Sequence, residues 1–292
     1  MIQRDLALSD FSTWKIGGKL SYYLLAKCQQ DVIDGFCFAK ENSLELMFLG
    51  NGSNVLFDED FTGLLIRIDR DFVLNEVPDD LVGVSAGQML SRATKIMKAR
   101  SWTSMDPLAT IPGNVGGSLV NNAGAFDLEI SDFVHSVEGF DLYGKYLVLS
   151  KSEIDFAYRY CSLRGNFLVT QVNFFNFKKE LCDQQFRQTR KNTQPLNYPS
   201  TGCVFKNPDG DSAGRLIDQS NCKKMHIGGA EVSDIHANFI INKDGADAQS
   251  IKDLIHKVQS TVKDRQNISL HRELQYSSEL KVHLKLQEES CG

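Results

Sequence analysis

The chain has 292 residues, 42% of them hydrophobic and 24% charged, and a formal net charge of −5. This composition is typical of a globular enzyme that buries a full core, and the acidic balance disfavours general nucleic-acid binding, which normally needs a basic surface. No run approaches the roughly eighteen apolar residues that a membrane span requires, and the first residues lack the apolar core of a signal peptide.

The first block of the chain predicts a β-α-β order. Strand-like segments cover residues 22–26, 46–49 and 64–68, and residues 32–40 have the pattern of a helix. The strand at 46–49 runs directly into a loop of small residues, namely Gly50, Asn51, Gly52, Ser53 and Asn54. The end of a strand is where α/β layers bind phosphate groups. The loop lacks the third glycine of a Rossmann fingerprint, and the chain has no P-loop motif.

The second block contains another loop of small residues. We predict a strand at 82–85, a helix at 89–100, a loop over 106–122, a hairpin at 134–150 that turns at Tyr143-Gly144, and strand-rich sequence at 167–177. The run 111–126 holds four glycines and three asparagines. Glycine permits positive φ and leaves backbone N–H groups uncovered, which suits the binding of an anion. Together the two loops predict a cradle for a dinucleotide or a diphosphate.

The third block begins near residue 191, after a polar helix. Ser212 is a good N-cap for a helix that ends at Gln219. The other predicted elements are a short strand at 202–205, a strand at 235–242, an amphipathic helix at 248–263, and a strand-like segment at 280–286 that is a candidate to return to the first block. This order of elements predicts an α+β or mixed α/β fold in three parts.

Several polar side chains are candidates for chemistry, and each also has an ordinary structural explanation. Arg159 follows Tyr158 and is either an exposed charge with a packed stem or a fixed cation beside a developing oxyanion. Cys203 is either an inert buried residue or a thiol that shares one edge with Lys206, which can reach a phosphate. Glu273 by itself is a surface acid. The histidines do not cluster at metal-ligand spacings, and we interpret His236 as a structural residue.

The motifs together resemble one known family. The chain is similar, nearly end to end, to the UDP-N-acetylenolpyruvoylglucosamine reductases, flavoenzymes of peptidoglycan synthesis. The resemblance is carried by residues 13–18, 50–54, 111–113, 116–117, 122–125, 158–159, 194–195, 202–208, 213–217 and 236–239, with Glu273 near its end. The short stretch between Pro208 and His236 leaves no room for the inserted region of the longer subtype and so points to the shorter one.

The resemblance implies an α+β flavoenzyme of three domains. Residues 1–68 and about 266–292 would form the first FAD-binding subdomain of a PCMH-type region, and residues 69–190 the second. Residues 191–265 would form an α/β domain that binds the substrate. FAD would be held without a covalent bond, by the cofactor set Gly50, Asn51, Gly52, Ser53, Asn54, Ile111, Pro112, Gly113, Gly116, Gly117, Asn122, Ala123 and Gly124.

The resemblance also implies a reaction. NADPH would reduce FAD, and the flavin would then pass hydride to C3 of the enol ether of UDP-N-acetylglucosamine enolpyruvate, giving UDP-N-acetylmuramate. Arg159 would stabilise the charge that develops, Glu273 would support the enol when protonated, and Cys203 would deliver a proton to C2. Tyr158, Lys206 and Asn207 are the candidate substrate-binding residues.

Three positions depart from the family pattern. The proton donor is most often serine but here is Cys203, Cys161 replaces another serine, and Ser277 replaces a glycine that follows the glutamate. A thiol is a stronger acid than an alcohol and can donate a proton, unless Lys206 or Arg159 lowers its pKa so far that it ionises. The change at Ser277 leaves Glu279 as a remote substitute for Glu273.

Location, partners and alternative functions complete the predictions. The seven cysteines are scattered and form no CxxC pair, so we expect reduced thiols in the cytoplasm and no metal site. We expect a monomer whose partner is the UDP-sugar, without nucleic acid or membrane. One alternative is an FAD-dependent oxidase of the same fold, although such oxidases often carry a covalent flavin and a larger substrate domain. Another is a non-catalytic flavin- or nucleotide-binding module, which would have no need of Arg159, Cys203 and Glu273.

Overall fold

A computed structural model describes residues 1–179 and 186–285. Its first block forms a five-stranded sheet with a helix packed on it. The sheet order is β1-β2-β5-β3-β18, in which β2 and β3 lie parallel to β5. The last strand, β18 (Lys281–Val282), comes from the end of the described chain. The elements of this block are β1 (Gln3–Ala7), β2 (Lys19–Ala26), α1 (Gln29–Glu41), β3 (Leu46–Phe48), β4 (Val55–Leu56) and β5 (Phe61–Ile68). The predicted β-α-β order is confirmed, and β1 is an edge strand that the pattern did not reveal.

The second block is built around an antiparallel sheet of order β10-β9-β13-β6. The predicted hairpin is confirmed, because β9 and β10 pair from Phe140 opposite Tyr146 to Ser136 opposite Ser150. The elements are β6 (Leu81–Ser85), α2 (Leu90–Ala99), α3 (Val115–Val120), β7 (Gly124–Ala125), β8 (Leu128–Glu129), β9 (Val134–Asp141), β10 (Tyr146–Ser150), β11 (Phe156–Ala157), β12 (Tyr160–Cys161) and β13 (Phe167–Phe175).

The prediction of one continuous loop over residues 106–122 is wrong. A 3₁₀ helix covers Asp106–Thr110, and α3 follows it. The side chain of Asn114 caps α3 by accepting a hydrogen bond from the Gly117 N–H at 3.0 Å. Asparagine is among the best N-cap residues, so a helix can start within a glycine-rich run.

The third block is a small domain with its own core. Ser212 caps α5 as predicted, since its hydroxyl accepts from the Arg215 N–H at 3.2 Å. The predicted strand at 202–205 is wrong, because only a single bridge joins Phe205 to Arg272, and the strand at 235–242 begins only at Ile240. The elements are α4 (Phe186–Thr193), α5 (Ala213–Gln219), β14 (His226–Ile227), β15 (Ala230–Val232), β16 (Ile240–Asn242) and α6 (Ala248–Gln266).

The chain then returns to the first block through β17 (Gln275–Tyr276) and β18 (Lys281–Val282). β17 lies parallel to β4, and β18 lies antiparallel to β3. The predicted return is therefore confirmed over the part that the structure describes, while residue 286 lies outside it.

Three buried residues of the first block, Trp14, Ile16 and Leu56, belong to the core of the third. Trp14 is fully buried among side chains of α5 and α6. Its indole N–H donates to the Ile240 carbonyl at 2.9 Å, and the Asn242 amide donates to the Trp14 carbonyl at 3.0 Å. Residues near position 14 thus join the first and third blocks.

Four of the cysteines, Cys28, Cys161, Cys203 and Cys222, carry free thiols. Cys37 is disulfide-bonded, so the expectation of reduced thiols is wrong at that position. Within residues 1–179 and 186–285, no helix is long and apolar enough to cross a membrane. The same ranges contain no group of His, Cys, Asp and Glu that could hold a metal ion.

Candidate active site

A cleft runs between the two glycine loops, and the third block lies at one end of it. One wall is formed by the whole loop Gly50–Asn54, and the facing wall includes Ile111, Pro112, Gly113, Gly117, Ala123 and Gly124. These are predicted cofactor residues, and the fold brings them to a single surface. The third block closes one end with Thr201, Gly202, Cys203, Phe205, Asn207 and Asn238.

Close packing explains why the two walls need glycine. A Cβ on Gly50 would lie 2.5 Å from Asn114 Oδ1 and 3.2 Å from the Gly117 Cα. Gly52 has φ +64°, a conformation that costs other residues free energy, and an added Cβ would overlap the Phe11 carbonyl. The main chain of Gly50 therefore packs directly against the Asn114 side chain and the Gly117 main chain of the facing loop.

Two predicted cofactor residues do not belong to the described lining of this cleft. Gly116 is buried against Ala86, where an added Cβ would lie 2.9 Å from the alanine methyl, and its N–H donates to the Ala86 carbonyl at 2.8 Å. Asn122 is fully buried, and its amide donates to Glu129 at 2.6 Å and to the Ala157 carbonyl at 3.0 Å. Both residues therefore support the facing wall through buried contacts on the side away from the cleft.

The residues present fit a flavin dinucleotide. Main chain of Gly50 and Gly113 lines the cleft and suits a pyrophosphate, and Ile111 and Val120 supply apolar surface for a ring. The buried hydroxyl of Thr201 also lines the cleft, and it has no hydrogen-bond partner among residues 1–179 and 186–285. A buried hydroxyl without a partner is costly, so a ligand that bonds it would be stabilised.

Arg159 is held beside Glu273 in the cleft. Its Nε donates to Glu273 Oε1 at 2.9 Å, and its Nη2 donates to the Gly124 carbonyl at 3.1 Å. The guanidinium also lies 4.9 Å from the ring centre of Tyr158. Arg159 has φ 55°, an uncommon conformation for a residue with a side chain. Strain of this kind persists where surrounding contacts fix the residue, which is common at functional sites.

Hydrogen bonds between two segments bring Cys203 and Glu273 together. The Glu273 N–H donates to the Val204 carbonyl at 2.8 Å, and the Lys206 N–H donates to the His271 carbonyl at 2.9 Å. The Asn238 side chain fixes the first segment, since it donates to the Phe205 carbonyl at 2.8 Å and accepts from the Phe205 N–H at 2.9 Å. Residues about seventy positions apart therefore reach the same cleft, with Arg159 opposite them.

The protonation states of these groups follow from burial and charge. Burial, together with the Glu273 carboxylate, raises the pKa of Cys203 to about 12, and the nearby cations Arg190 and Arg159 only partly oppose the rise. Burial also raises the pKa of Glu273, against the opposing effect of Arg159 and Lys206. Burial and the neighbouring carboxylate therefore both favour the protonated thiol at neutral pH.

The predicted substrate residues divide between two clefts. Tyr158 and Asn207 line the main cleft, where the Asn207 N–H donates to the Tyr158 hydroxyl at 3.4 Å. Lys206 instead lines a second, polar cleft on the other side of Glu273, together with Arg164, His271 and Arg272. Adjacent residues of an extended segment point to opposite sides, which accounts for the separation.

Sequence reasoning missed several polar residues that the fold adds to the main cleft, among them Arg190, Arg164 and Asn238. Arg190 comes from α4, where it donates to Thr110 at 3.1 Å. Arg164 donates to the carbonyls of Val120 at 3.1 Å and Arg159 at 2.9 Å. Asn238 lies within a segment that we had recognised only as a motif. Asn238 could have been inferred from that motif, whereas no local signal distinguishes Arg164 or Arg190 from surface arginines.

Comparison with known proteins agrees with this arrangement. Residues 20–150 match the model of an FAD binding domain, and residues 194–277 match the C-terminal domain of UDP-N-acetylenolpyruvoylglucosamine reductase. The reductase of that name from Clostridium novyi is 34% identical over 95% of this chain and 92% of its own length, and the one from Protochlamydia amoebophila is 35% identical over 94% and 93%. The crystal structure of the Thermus caldophilus enzyme superposes with a TM-score of 0.78 at 29% identity, over 94% of this chain and 99% of that one. The chain belongs to the UDP-N-acetylenolpyruvoylglucosamine reductase family.

Proposed function

We propose that Arg159, Cys203 and Glu273 carry the chemistry of this family's reaction in this chain. The reaction reduces UDP-N-acetylglucosamine enolpyruvate to UDP-N-acetylmuramate in the synthesis of peptidoglycan precursors. The observation that carries the proposal is the meeting of a fixed cation, a protonated thiol and a buried carboxyl group in the cleft between the glycine loops.

The cofactor is FAD, and NADPH is the reductant. When bound, FAD would supply the chemistry of hydride transfer between NADPH and the enol ether. We assign its binding to the loop 50–54 and to the facing wall around Gly113 and Gly117. The buried Thr201 hydroxyl is a further candidate partner for a bound ligand.

Arg159 and Glu273 act on the charge that develops on the substrate. Hydride addition at C3 makes C2 and the carboxylate electron-rich, and a preorganised cation stabilises such charge most strongly where water is excluded. The bond from Arg159 to Glu273 orients the guanidinium before substrate binds. Arg190, on another wall, supplies a second positive charge for an anionic substrate.

Cys203 gives the proton that completes the product. Its thiol S–H bond breaks as the new C–H bond forms at C2, and the resulting thiolate takes a proton from solvent before the next turnover. A thiol that remains protonated at neutral pH is suited to this role, because a thiolate has no proton to donate.

Domain limits, location and assembly form part of the same proposal. We assign residues 1–68 with about 266–292, and residues 69–190, to FAD binding, and residues 191–265 to the substrate. Tyr158 and Asn207 are proposed to contact the UDP-sugar in the main cleft. Lys206 faces the second cleft. We propose that it contacts the diphosphate of a substrate that extends past Glu273. The protein is proposed to act as a cytoplasmic monomer.

Anaerobic reoxidation tests this function directly. Purified protein should be yellow and should release intact FAD on denaturation. After reduction by NADPH under anaerobic conditions, the flavin colour should return when the enolpyruvyl UDP-sugar is added. Return of colour only on admission of oxygen would instead identify an oxidase, and a colourless protein that cannot be reconstituted with FAD would identify a non-catalytic module.

A further inference from the structure

One buried carboxylate outside the cleft is bonded by several donors. The side chain of Asp58 is only 5% exposed. It accepts from Lys252 Nζ at 2.6 Å and from the Ser277 hydroxyl at 2.9 Å. It also accepts from the N–H of Ser278 at 3.1 Å and from its hydroxyl at 3.0 Å. Burial by itself raises a carboxyl pKa, yet these hydrogen bonds hold the pKa of Asp58 below its usual value.

Asp58 and its partners come from three separate parts of the protein. Asp58 follows β4, directly after the glycine loop at 50–54. Lys252 lies on α6 of the third block, which we propose to bind the substrate and call the substrate block. Ser277 and Ser278 follow β17. One carboxylate therefore joins the first block, the substrate block and the returning segment.

The returning segment is the one that carries Glu273. Between Glu273 and the serines, β17 has only two residues, which pair with β4 from Gln275 opposite Val55. The Gln275 N–H donates to the Asn54 carbonyl at 3.2 Å, and the Asn54 side chain donates to the Glu273 carbonyl at 3.2 Å. On the other side of Glu273 its N–H is bonded to the Val204 carbonyl, so the bonds of Asp58 add an anchor on the C-terminal side of the segment.

Ser277 occupies the position at which the resemblance leads us to expect glycine. The residue is 1% exposed, and its hydroxyl both donates to Asp58 Oδ1 and accepts from the Asp58 N–H at 3.1 Å. Glycine could form neither bond. Serine at position 277 therefore adds two hydrogen bonds that fix the segment carrying Glu273.

We propose that Asp58 is a positioning residue for Glu273, with Ser277 and Lys252 as its partners. The proposal rests on the role proposed above for Glu273. Loss of the anchor lets the segment shift, and a displacement of about 1 Å at a reacting centre can cost roughly a hundredfold in rate. Reduction of the flavin by NADPH forms no enol on the sugar and so does not need Glu273, and the effect should be confined to the step that uses the enolpyruvyl sugar.

Rapid-mixing measurements of the two half-reactions test this inference. In Asp58→Asn and Ser277→Ala, reoxidation by the enolpyruvyl sugar should slow by about ten- to a hundredfold while reduction by NADPH changes less than about twofold. Ser277→Ala removes one hydroxyl and provides a mild variant if Asp58→Asn folds poorly. Lys243→Met is the matched control for Lys252→Met, because the Lys243–Glu231 ion pair, also 2.6 Å, lies entirely within the substrate block.

A Glu273→Gln background separates failure of this inference from failure of the proposed function. If Glu273 acts and Asp58 positions it, Ser277→Ala should slow reoxidation in the native background and add little in the Gln background. If Glu273→Gln slows reoxidation but Ser277→Ala and Asp58→Asn do not, the positioning role is wrong. Full reoxidation by Glu273→Gln would instead overturn the role of Glu273. Equal slowing of both half-reactions by the Asp58 variants would mark Asp58 as a purely structural residue.

Discussion

At the scale of single residues, Cys203 shows how the fold adapts a side chain to a task. A cysteine in water has a pKa of about 8.5, so a tenth or so of such thiols are ionised near pH 7.5. In this site burial and the Glu273 carboxylate raise the pKa to about 12. In the role that we propose for Cys203, cysteine at this position would act as a neutral donor, because its surroundings raise the pKa of the thiol.

Replacement of Cys203 should separate the two half-reactions. Cys203→Ala leaves the glycine loops intact, so reduction by NADPH should change less than about twofold, whereas product formation should fall by about 10²–10⁴-fold. Cys203→Ser restores an O–H donor and should recover activity to within about tenfold. Rapid-mixing absorbance of the flavin measures both steps. Equal slowing of both steps in the alanine variant would contradict the role as proton donor.

The raised pKa also predicts low chemical reactivity of Cys203. With a pKa of about 12, roughly one thiol in ten thousand is ionised at pH 8, and the thiolate is the form that alkylates. Site-resolved mass spectrometry should therefore find Cys203 modified by iodoacetamide at least about 100-fold more slowly than the partly exposed Cys28. Comparable rates at the two positions would show that the thiol is not held protonated.

At the scale of elements, the regular periodic segments could be predicted from the sequence. The hairpin of β9 and β10, the helices α1, α2 and α6, and the cap at Ser212 all follow from local patterns that the fold leaves intact. The helix α3 could not be predicted so easily, because its glycines are selected by contacts with distant parts of the chain. Gly116 packs on Ala86, and Gly117 approaches Gly50.

The same reason limits what the sequence reveals of the site. The glycine loops, Arg159, Cys203 and Glu273 belong to recognisable motifs, but the side on which Lys206 emerges depends on pairing with residues 271–274. Arg190 and Arg164 enter the cleft only through tertiary structure. Local patterns therefore identify residues with a chemical role better than they identify their neighbours.

Gly52 allows a test of the close approach between elements. Gly52→Ala forces φ +64° on alanine and also overlaps the Phe11 carbonyl. Gly210→Ala is the matched control, because Gly210 has φ +74° but no atom within 4 Å of an added Cβ. The control should lose about 1 kcal/mol of unfolding free energy, and Gly52→Ala about 3 kcal/mol or more, together with weaker retention of FAD. Urea unfolding and gel filtration with flavin absorbance measure both effects, and equal losses would contradict the steric explanation.

At the scale of the whole molecule, the three blocks share residues across their borders. Trp14 precedes the first parallel strand of the first block, yet it completes the core of the third block. Lys252 of α6 bonds to Asp58 beside the glycine loop. The third block is thus joined to the first block by the buried indole of Trp14 and by the Lys252–Asp58 ion pair, as well as by the chain itself.

Trp14→Phe should show that this attachment stabilises the protein. The change removes the indole N–H that bonds the Ile240 carbonyl and leaves that carbonyl without its donor. We expect a loss of about 2 kcal/mol in unfolding free energy. Trp102→Phe, at a half-buried position in the second block, is the control and should cost less. Urea unfolding followed by circular dichroism compares them, and equal losses would contradict a special role for Trp14.

The return of β18 to the first sheet has a consequence for the order of folding during synthesis. Its partner β3 is made more than two hundred residues earlier, so an inner strand of the finished sheet has one open edge until residues 281–282 leave the ribosome. Pairings so distant in sequence form late, and an open strand edge can pair with another nascent chain. The second block has its own complete sheet and can fold while the rest is still being made. Completion of the first sheet also brings Glu273 into place, so the site is assembled last.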